Sequence, residues 1–153
     1  MTSVAKGKTT FRIAAVLFVV SALTEMIPPT APVPLFGALR GGPVALFYHL
    51  VYAGLYLALG VGLWQARPWG GTVLFFTTGF YTLDRLQLLF FRKEVLADLQ
   101  KKPGPLGEIL AAVDADLLLT VFTAATLSIL LCWWGFAAYT YLRRDYFTPT
   151  SRL

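Results

Sequence analysis

Charged residues are scarce in this chain of 153 residues: Asp, Glu, Lys and Arg together make up 14% of it, against roughly 25% in a typical soluble domain. Apolar residues make up 57%, and the mean hydropathy is +0.65. Such a composition excludes a disordered chain, and it leaves too little charge for the surface of a soluble enzyme. The scarcity of charge therefore predicts an integral membrane protein.

Cysteine and histidine each occur once, as Cys132 and His49. A single cysteine excludes an intramolecular disulfide and a C-x-x-C redox pair, and a single histidine excludes bis-histidine haem ligation within one subunit. The sequence has no P-loop, dinucleotide-binding or zinc-ribbon spacing, and no E-x-x-H or H-x-x-x-H pattern that indicates a metal. We therefore expect neither a cofactor nor a bound metal.

Four apolar segments are long enough to cross the hydrocarbon core of a bilayer, which takes roughly 20 residues of helix. They cover about residues 9–27, 44–64, 72–91 and 109–142. Turn-forming prolines and glycines separate the segments, and a proline cluster without a small-residue cleavage site follows the first, which favours a retained span over a signal peptide. We predict an all-α, polytopic integral membrane protein, an antiparallel bundle of four transmembrane helices forming one domain over residues 1–153.

The basic residues flank these segments and form no single basic surface, so nucleic acid is not an expected partner. Lys and Arg accumulate on the cytoplasmic side of short loops. With four spans, both termini lie on the same side of the membrane, and this side has more Lys and Arg residues than the other. The count favours cytoplasmic termini in a multi-pass protein of the plasma (inner) membrane. That side carries Lys6, Lys8, Arg12, Arg67, Arg143, Arg144 and Arg152, and the other side carries Arg40, Arg92, Lys93, Lys101 and Lys102.

Ionisable residues inside the predicted spans are the candidates for function, because placing charge in hydrocarbon is costly. The alternation of four spans puts all of them in the half of the membrane away from the termini. They are Glu25, His49, Asp84, Arg85, Asp114 and Asp116. The pattern predicts a polar site on one side of the membrane.

Helical spacing narrows this set, because residues four apart share one face of a helix. Asp116 belongs to a row of small residues that we expect to face the other helices, whereas Asp114 points towards the interface. The row comprises Ala112, Asp116, Thr120, Ala124, Ser128 and Cys132. In the second segment Gly54, Ala58 and Gly62 form a comparable seam for intramolecular packing.

The expected site is a buried cluster of acids, one base and tyrosines contributed by all four helices. Arg85 is the expected counter-ion for an acid on a neighbouring helix, since adjacent residues such as Asp84 and Arg85 diverge on a helix. As ligand-binding residues we expect Glu25, His49, Tyr52, Tyr81, Asp84, Arg85 and Asp116.

Three functions are compatible with such a cluster, and a structural hydrogen-bond network explains it equally well. The first is binding of a lipid-like or amphiphilic small molecule in a one-sided polar pocket. The second is proton-transfer catalysis on a lipid-like substrate, with His49 as the base or proton carrier and Asp84 or Asp116 as the acid. Glu25 is a further catalytic candidate. The third is an accessory subunit whose polar residues meet a membrane-protein partner or a second copy of the chain. The expected partners are therefore the bilayer, an amphiphilic ligand and another membrane protein.

Overall fold

The chain is helical almost throughout, and the predicted all-α class is confirmed. The structure, a computed structural model, describes residues 7–147 apart from the side chain of Leu106; Lys6 and Arg152, which entered the charge count, lie outside this range. The helices are α1 (Lys8–Glu25), α2 (Gly42–Trp64), α3 (Pro68–Phe90), α4 (Arg92–Gln100), α5 (Pro105–Ala112) and α6 (Ala115–Leu142), followed by a 3₁₀ turn (Arg144–Tyr146). A hairpin of β1 (Val33–Leu35) and β2 (Ala38–Arg40) joins α1 to α2.

Prolines mark the beginnings of three helices. Pro43, Pro68 and Pro105 lie in the first turn of α2, α3 and α5, where the missing N–H costs no hydrogen bond and the fixed φ suits a helix. For this reason α3 begins at Pro68, four residues before the predicted start at 72. The helices α1, α2 and α3 otherwise cover the first three predicted segments closely.

The predicted continuous helix over residues 109–142 is wrong, because the chain breaks between α5 and α6. Val113 is extended, with φ −98° and ψ 145°. The carboxylate of Asp114 then accepts a hydrogen bond from the Leu117 N–H at 2.9 Å and caps the first turn of α6. Because apolar residues lie on both sides of this break, hydropathy alone does not reveal it.

In the described part of the chain, two helices are long and apolar enough to cross a membrane: α2 and α6. Four such segments were expected. The other two long helices contain more polar residues, since α1 carries Lys8, Arg12 and Glu25, and α3 carries Asp84 and Arg85. Two membrane-capable helices support a membrane protein with helical spans.

The four long helices pack side by side in the order α1, α2, α3, α6, and each runs antiparallel to its neighbour. The end of α1 meets the beginning of α2, where Glu25 contacts His49. The beginning of α2 meets the end of α3, where Tyr48 contacts Asp84. We call this end of the helices the hairpin end, because β1 and β2 lie beside it.

Glycines bring the backbones of neighbouring helices close together. A Cβ on Gly60 would lie 2.7 Å from Cγ2 of Val19 and 3.1 Å from the carbonyl oxygen of Ala15, so only glycine fits this α1–α2 contact. Gly62 and Gly70 make the equivalent contact between α2 and α3. The predicted seam in α2 is therefore confirmed at Gly62, whereas Gly54 has no atom within 4 Å of its Cβ position.

The prediction that the small-residue row of α6 faces the other helices is wrong. Every residue of that row, from Ala112 through Asp116 to Cys132, is exposed. The buried residues of α6 are Thr126, Leu130, Ala137 and Thr140, which lie on another face. Large rings beside them make the contacts, such as Trp133 stacked on Tyr81 with ring centroids 5.0 Å apart.

The sequence analysis did not predict the hairpin, because the prolines before α2 indicate a loop. The side chain of Gln87 on α3 forms hydrogen bonds to it. Phe36 and Gly37 form its tight turn, and both have positive φ, 49° and 80°, as a type I′ turn requires. The Gln87 amide accepts a hydrogen bond from the Phe36 N–H at 2.9 Å and donates one to the Pro34 carbonyl at 3.1 Å. These two bonds stabilise a backbone conformation that is unfavourable for phenylalanine.

The core between the helices is aromatic. Tyr52, Tyr56 and Tyr81 belong to its main cluster, together with Leu59, Leu74 and Leu130. A second cluster surrounds the fully buried Phe11 at the opposite end of the helices, where Tyr146 donates a hydrogen bond to the Leu63 carbonyl at 3.0 Å. Rings therefore provide most of the contact between α1 and α6, including Phe18 with Trp133 at 5.5 Å.

We expect the Gly60→Ala variant to lose about 1–3 kcal/mol of unfolding free energy, because overpacking forces neighbouring atoms to shift. Thermal unfolding in mild detergent, followed by circular dichroism, measures this loss. Gly54→Ala is the matched control: with nothing near its Cβ position, we expect a gain of about 0.5–1 kcal/mol from helix propensity. Equal effects of the two substitutions would contradict the close α1–α2 contact.

Candidate functional site

The only histidine of the chain lies in a three-way contact at the hairpin end. His49 Nδ1 lies 2.6 Å from a carboxylate oxygen of Glu25, and Nε2 lies 3.0 Å from the carbonyl oxygen of Ala31. The side chains of His49 and Glu25 are 12% and 23% exposed. The contact joins the last residue of α1 and the following loop to the second turn of α2.

The partners of His49 determine where its protons are. A carbonyl oxygen can only accept, so Nε2 carries a proton and donates it to Ala31. One further proton lies between Nδ1 and the Glu25 carboxylate, either as an imidazolium–carboxylate pair or as a neutral imidazole with a protonated acid. The pair has no net charge in either form, which lowers the cost of burying it.

A second polar group connects α2 to α3. The Tyr48 hydroxyl donates to a carboxylate oxygen of Asp84 at 3.0 Å, and a guanidinium nitrogen of Arg85 lies 3.3 Å from the same oxygen. The guanidinium also lies 4.7 Å from the centroid of the Tyr81 ring, a cation–π contact. The expected pairing of Arg85 with an acid on a neighbouring helix is wrong, because the long arginine side chain folds back to Asp84 on its own helix.

Three buried polar atoms of α2 and α3 have no hydrogen-bond partner within the described residues: the Tyr52 hydroxyl, the Thr77 hydroxyl and Nε of Arg85. Tyr52 is only 1% exposed, and its ring lies 4.6 Å from the Tyr48 ring between centroids. Buried polar atoms in proteins are usually hydrogen-bonded, so these three atoms are exceptions within the described residues.

Asp116 does not join the other predicted site residues. It is exposed in the first turn of α6 and lines an outer groove together with Arg92 and Lys93. The structure thus brings Glu25 to His49, and Asp84 to Arg85, Tyr52 and Tyr81, but it separates the predicted cluster into two inner groups and one outer acid. Within each inner group an acid lies beside a basic side chain, so the charges for which the sequence showed no partner are neutralised.

An apolar groove that the sequence analysis missed lies between α1 and α6, with a volume of about 380 Å³. It exists because α6 contacts α1 through rings and not through close backbones. Its polar atoms come from Ser21, Tyr56 and Cys132, and its walls include Phe18, Trp133 and Phe136. The spacing of Phe18 and Ser21 on α1 predicts a shared face, but no sequence signal pairs this face with Trp133.

The groove leads towards the Glu25–His49 pair. Ala14, Phe18 and Ser21 line it from α1, and helical spacing places Glu25 one turn beyond Ser21 on the same stripe. One turn of helix is about 5.4 Å long. Glu25 therefore lies about one turn of α1 beyond the last α1 residue that lines the groove.

Within residues 7–147, no group of three His, Cys, Asp or Glu side chains could hold a metal ion. No protein family, curated protein or solved structure matches the chain. The chemistry of the site therefore has to be argued from the geometry of these groups.

We expect the Asp84→Asn variant to lose about 1–3 kcal/mol of unfolding free energy, because the half-buried Arg85 cation loses its counter-charge. Thermal unfolding in mild detergent measures the loss. Asp116→Asn is the matched control, since an exposed residue changes stability by no more than about 0.5 kcal/mol. If both substitutions cost the same, the separation of Asp116 from the inner groups is wrong.

Proposed function

We propose that the chain is a four-span integral membrane protein that binds one lipid-like or amphiphilic molecule in the groove between α1 and α6. The apolar part of the ligand lies against the rings of α1 and α6, and its polar end lies near Glu25 and His49. The membrane is the plasma (inner) membrane, with both termini in the cytoplasm. The observation that carries the proposal is the groove itself, which is lined mostly by apolar and aromatic side chains and whose stripe on α1 continues to Glu25.

The packing of α1 and α3 supports four spans. At 1.5 Å per residue, the 18 residues of α1 and the 23 residues of α3 extend over about 27 and 35 Å, close to the ~30 Å of a hydrocarbon core. Both helices lie antiparallel to α2, which itself is long and apolar enough to cross a membrane. The polar residues that lower their hydropathy are paired, as Glu25 with His49 and Asp84 with Arg85, and pairing is how spans tolerate such residues.

The size and lining of the groove support a small amphiphile. Small-molecule sites have volumes of roughly 300–1,000 Å³ and are mostly apolar with a few polar groups, and this groove of about 380 Å³ meets both criteria. Ser21 and Tyr56, which carry hydroxyls, are among the residues that line it. Their position selects a molecule with one polar end over a pure hydrocarbon.

The geometry favours binding over proton-transfer catalysis. Both ring nitrogens of His49 are hydrogen-bonded within the protein, to Glu25 and to Ala31. A general base must reach the proton that it removes from the substrate, so His49 would first have to break one of these bonds. The Glu25–His49 pair is better suited to orient a polar group than to exchange protons with it.

The topology can be tested with two single-cysteine variants in a Cys132→Ser background. Gln65→Cys lies in the α2–α3 turn, and Lys102→Cys lies between α4 and α5; both positions are exposed. We expect a membrane-impermeant maleimide to label the two cysteines from opposite sides of the membrane, because α3 separates them. Labelling from the same side would show that only α2 and α6 span, and would contradict the four-span proposal.

Ligand binding can be tested with a diazirine analogue of palmitate crosslinked to the purified protein by light. We expect mass spectrometry to locate the adducts at groove residues such as Phe18, Cys132 and Trp133. Ala14→Phe fills the groove and should reduce the yield at these residues at least about fivefold, since a filled site loses about 1 kcal/mol or more of binding.

Ala125→Phe is the matched control for this test, because Ala125 is exposed on α6 outside the groove. It should leave the adducts unchanged. Adducts spread evenly over the lipid-facing residues, or an equal loss in both variants, would show that palmitate contacts the protein only as a bulk solvent and that no site exists.

A further inference from the structure

The outer groove that contains Asp116 is separate from the proposed ligand groove. It has a volume of about 500 Å³ and lies where the beginnings of α4 and α6 meet. Arg92 and Lys93 contribute cations to it, Asp116 contributes a carboxylate, and Thr120 and Thr123 contribute hydroxyls. It is therefore a polar groove with charges of both signs.

The opposite charges in this groove do not neutralise each other. Within the described residues, no carboxylate lies within 4 Å of the side-chain nitrogens of Arg92 or Lys93, and no basic nitrogen lies within 4 Å of the Asp116 carboxylate. Arg92 donates one hydrogen bond, to the Leu89 carbonyl at 2.8 Å, which holds the half-buried guanidinium at the end of α3. The remaining guanidinium N–H groups are free to donate to an anion.

The groove lies at the membrane surface if α6 crosses the membrane, since Asp116 is the second residue of that helix. At this depth the neighbouring molecules are lipid headgroups. Ala124 lines one end of the groove, and Ser128, one turn further along, lies on the same exposed face of α6.

We propose that this groove binds the headgroup of a zwitterionic phospholipid that carries a primary amine. Arg92 and Lys93 bind the phosphate, for which guanidinium and ammonium groups are the usual ligands. Asp116 accepts hydrogen bonds from the lipid ammonium, and the hydroxyl oxygen of Thr120, which donates to the Asp116 carbonyl at 2.8 Å, has a lone pair for the same ammonium. An anionic lipid without an amine also binds Arg92 and Lys93 through its phosphate, but it provides no ammonium group for Asp116.

This proposal rests on the proposed function only in that α6 spans the membrane. A two-span topology would contradict the four-span proposal and leave this site at the same depth. The ligand groove between α1 and α6 has other residues in its walls, so the palmitate crosslinks and the headgroup preference can fail independently.

The test is native mass spectrometry of the full chain in mild detergent with an equimolar mixture of phosphatidylethanolamine, phosphatidylcholine and phosphatidylglycerol with identical acyl chains. We expect phosphatidylethanolamine to bind most. Asp116→Asn should lower the amount of bound phosphatidylethanolamine, relative to each of the other two lipids, about threefold. This is the change in affinity expected from the loss of one exposed ion pair. Lys93→Gln should reduce the binding of all three lipids.

Glu108→Gln and Lys101→Gln are the matched controls, because both residues are exposed in the same connection between α3 and α6 but outside the groove. Neither should change the lipid ratios. The proposal is overturned if Asp116→Asn leaves the ratios unchanged, or if Glu108→Gln alters them as much, which would show that only the net charge of this side matters. Unchanged melting temperatures would confirm that the variants are folded.

Discussion

The structure depends on neutralising ionisable side chains within helices that have little access to water. Glu25 is paired with His49 on the next helix, and Asp84 is paired with Arg85 and hydrogen-bonded to Tyr48 on α2. Each pair costs less to bury than its separate members. The Glu25–His49 pair joins α1 to α2, and the Tyr48–Asp84 hydrogen bond joins α2 to α3. The same contacts that make the polar residues tolerable therefore fix how α1, α2 and α3 align at the hairpin end.

Close packing and loose packing occur on different sides of this arrangement. Gly60 and Gly62 allow α1 and α3 to approach the backbone of α2 closely. By contrast, α6 is held by rings such as Trp133, and only 11% of its most apolar 18-residue stretch is buried, compared with 39% in α2. The groove between α1 and α6 forms because α1 packs closely against α2 but only through side-chain rings against α6.

The sequence predicts the helix positions well where prolines and apolar length coincide, as in α2 and α3. It does not predict the break at Val113, because apolar residues continue on both sides and the cap by Asp114 is a local geometry. The orientation of α6 was predicted wrongly because the helix is apolar on all sides, and the rule that small residues face inward assumes close backbones. Here Trp133 makes the contact instead, and Asp116 faces outward.

The candidate site was predictable in part. Glu25, His49, Asp84 and Arg85 could be identified because ionisable residues are rare in apolar segments, but their pairing depends on the relative heights of helices, which spacing within one helix does not give. The hairpin was missed because Pro32 and Pro34 indicate a loop, whereas the Pro34 carbonyl still accepts a bond from Gln87. The α1–α6 groove has no local signal, because it results from the distance between two helices far apart in sequence.

The low burial of α6 has a thermodynamic consequence. A molecule in the groove adds contacts to a helix of low burial, so its occupancy would stabilise the folded chain by an amount that grows with the logarithm of the free ligand concentration. If the proposed lipid-like ligand occupies the groove, the melting temperature of the purified protein depends on how much of this lipid is retained. Successive detergent washes that remove this lipid should lower the melting temperature, although no covalent bond and no residue has changed.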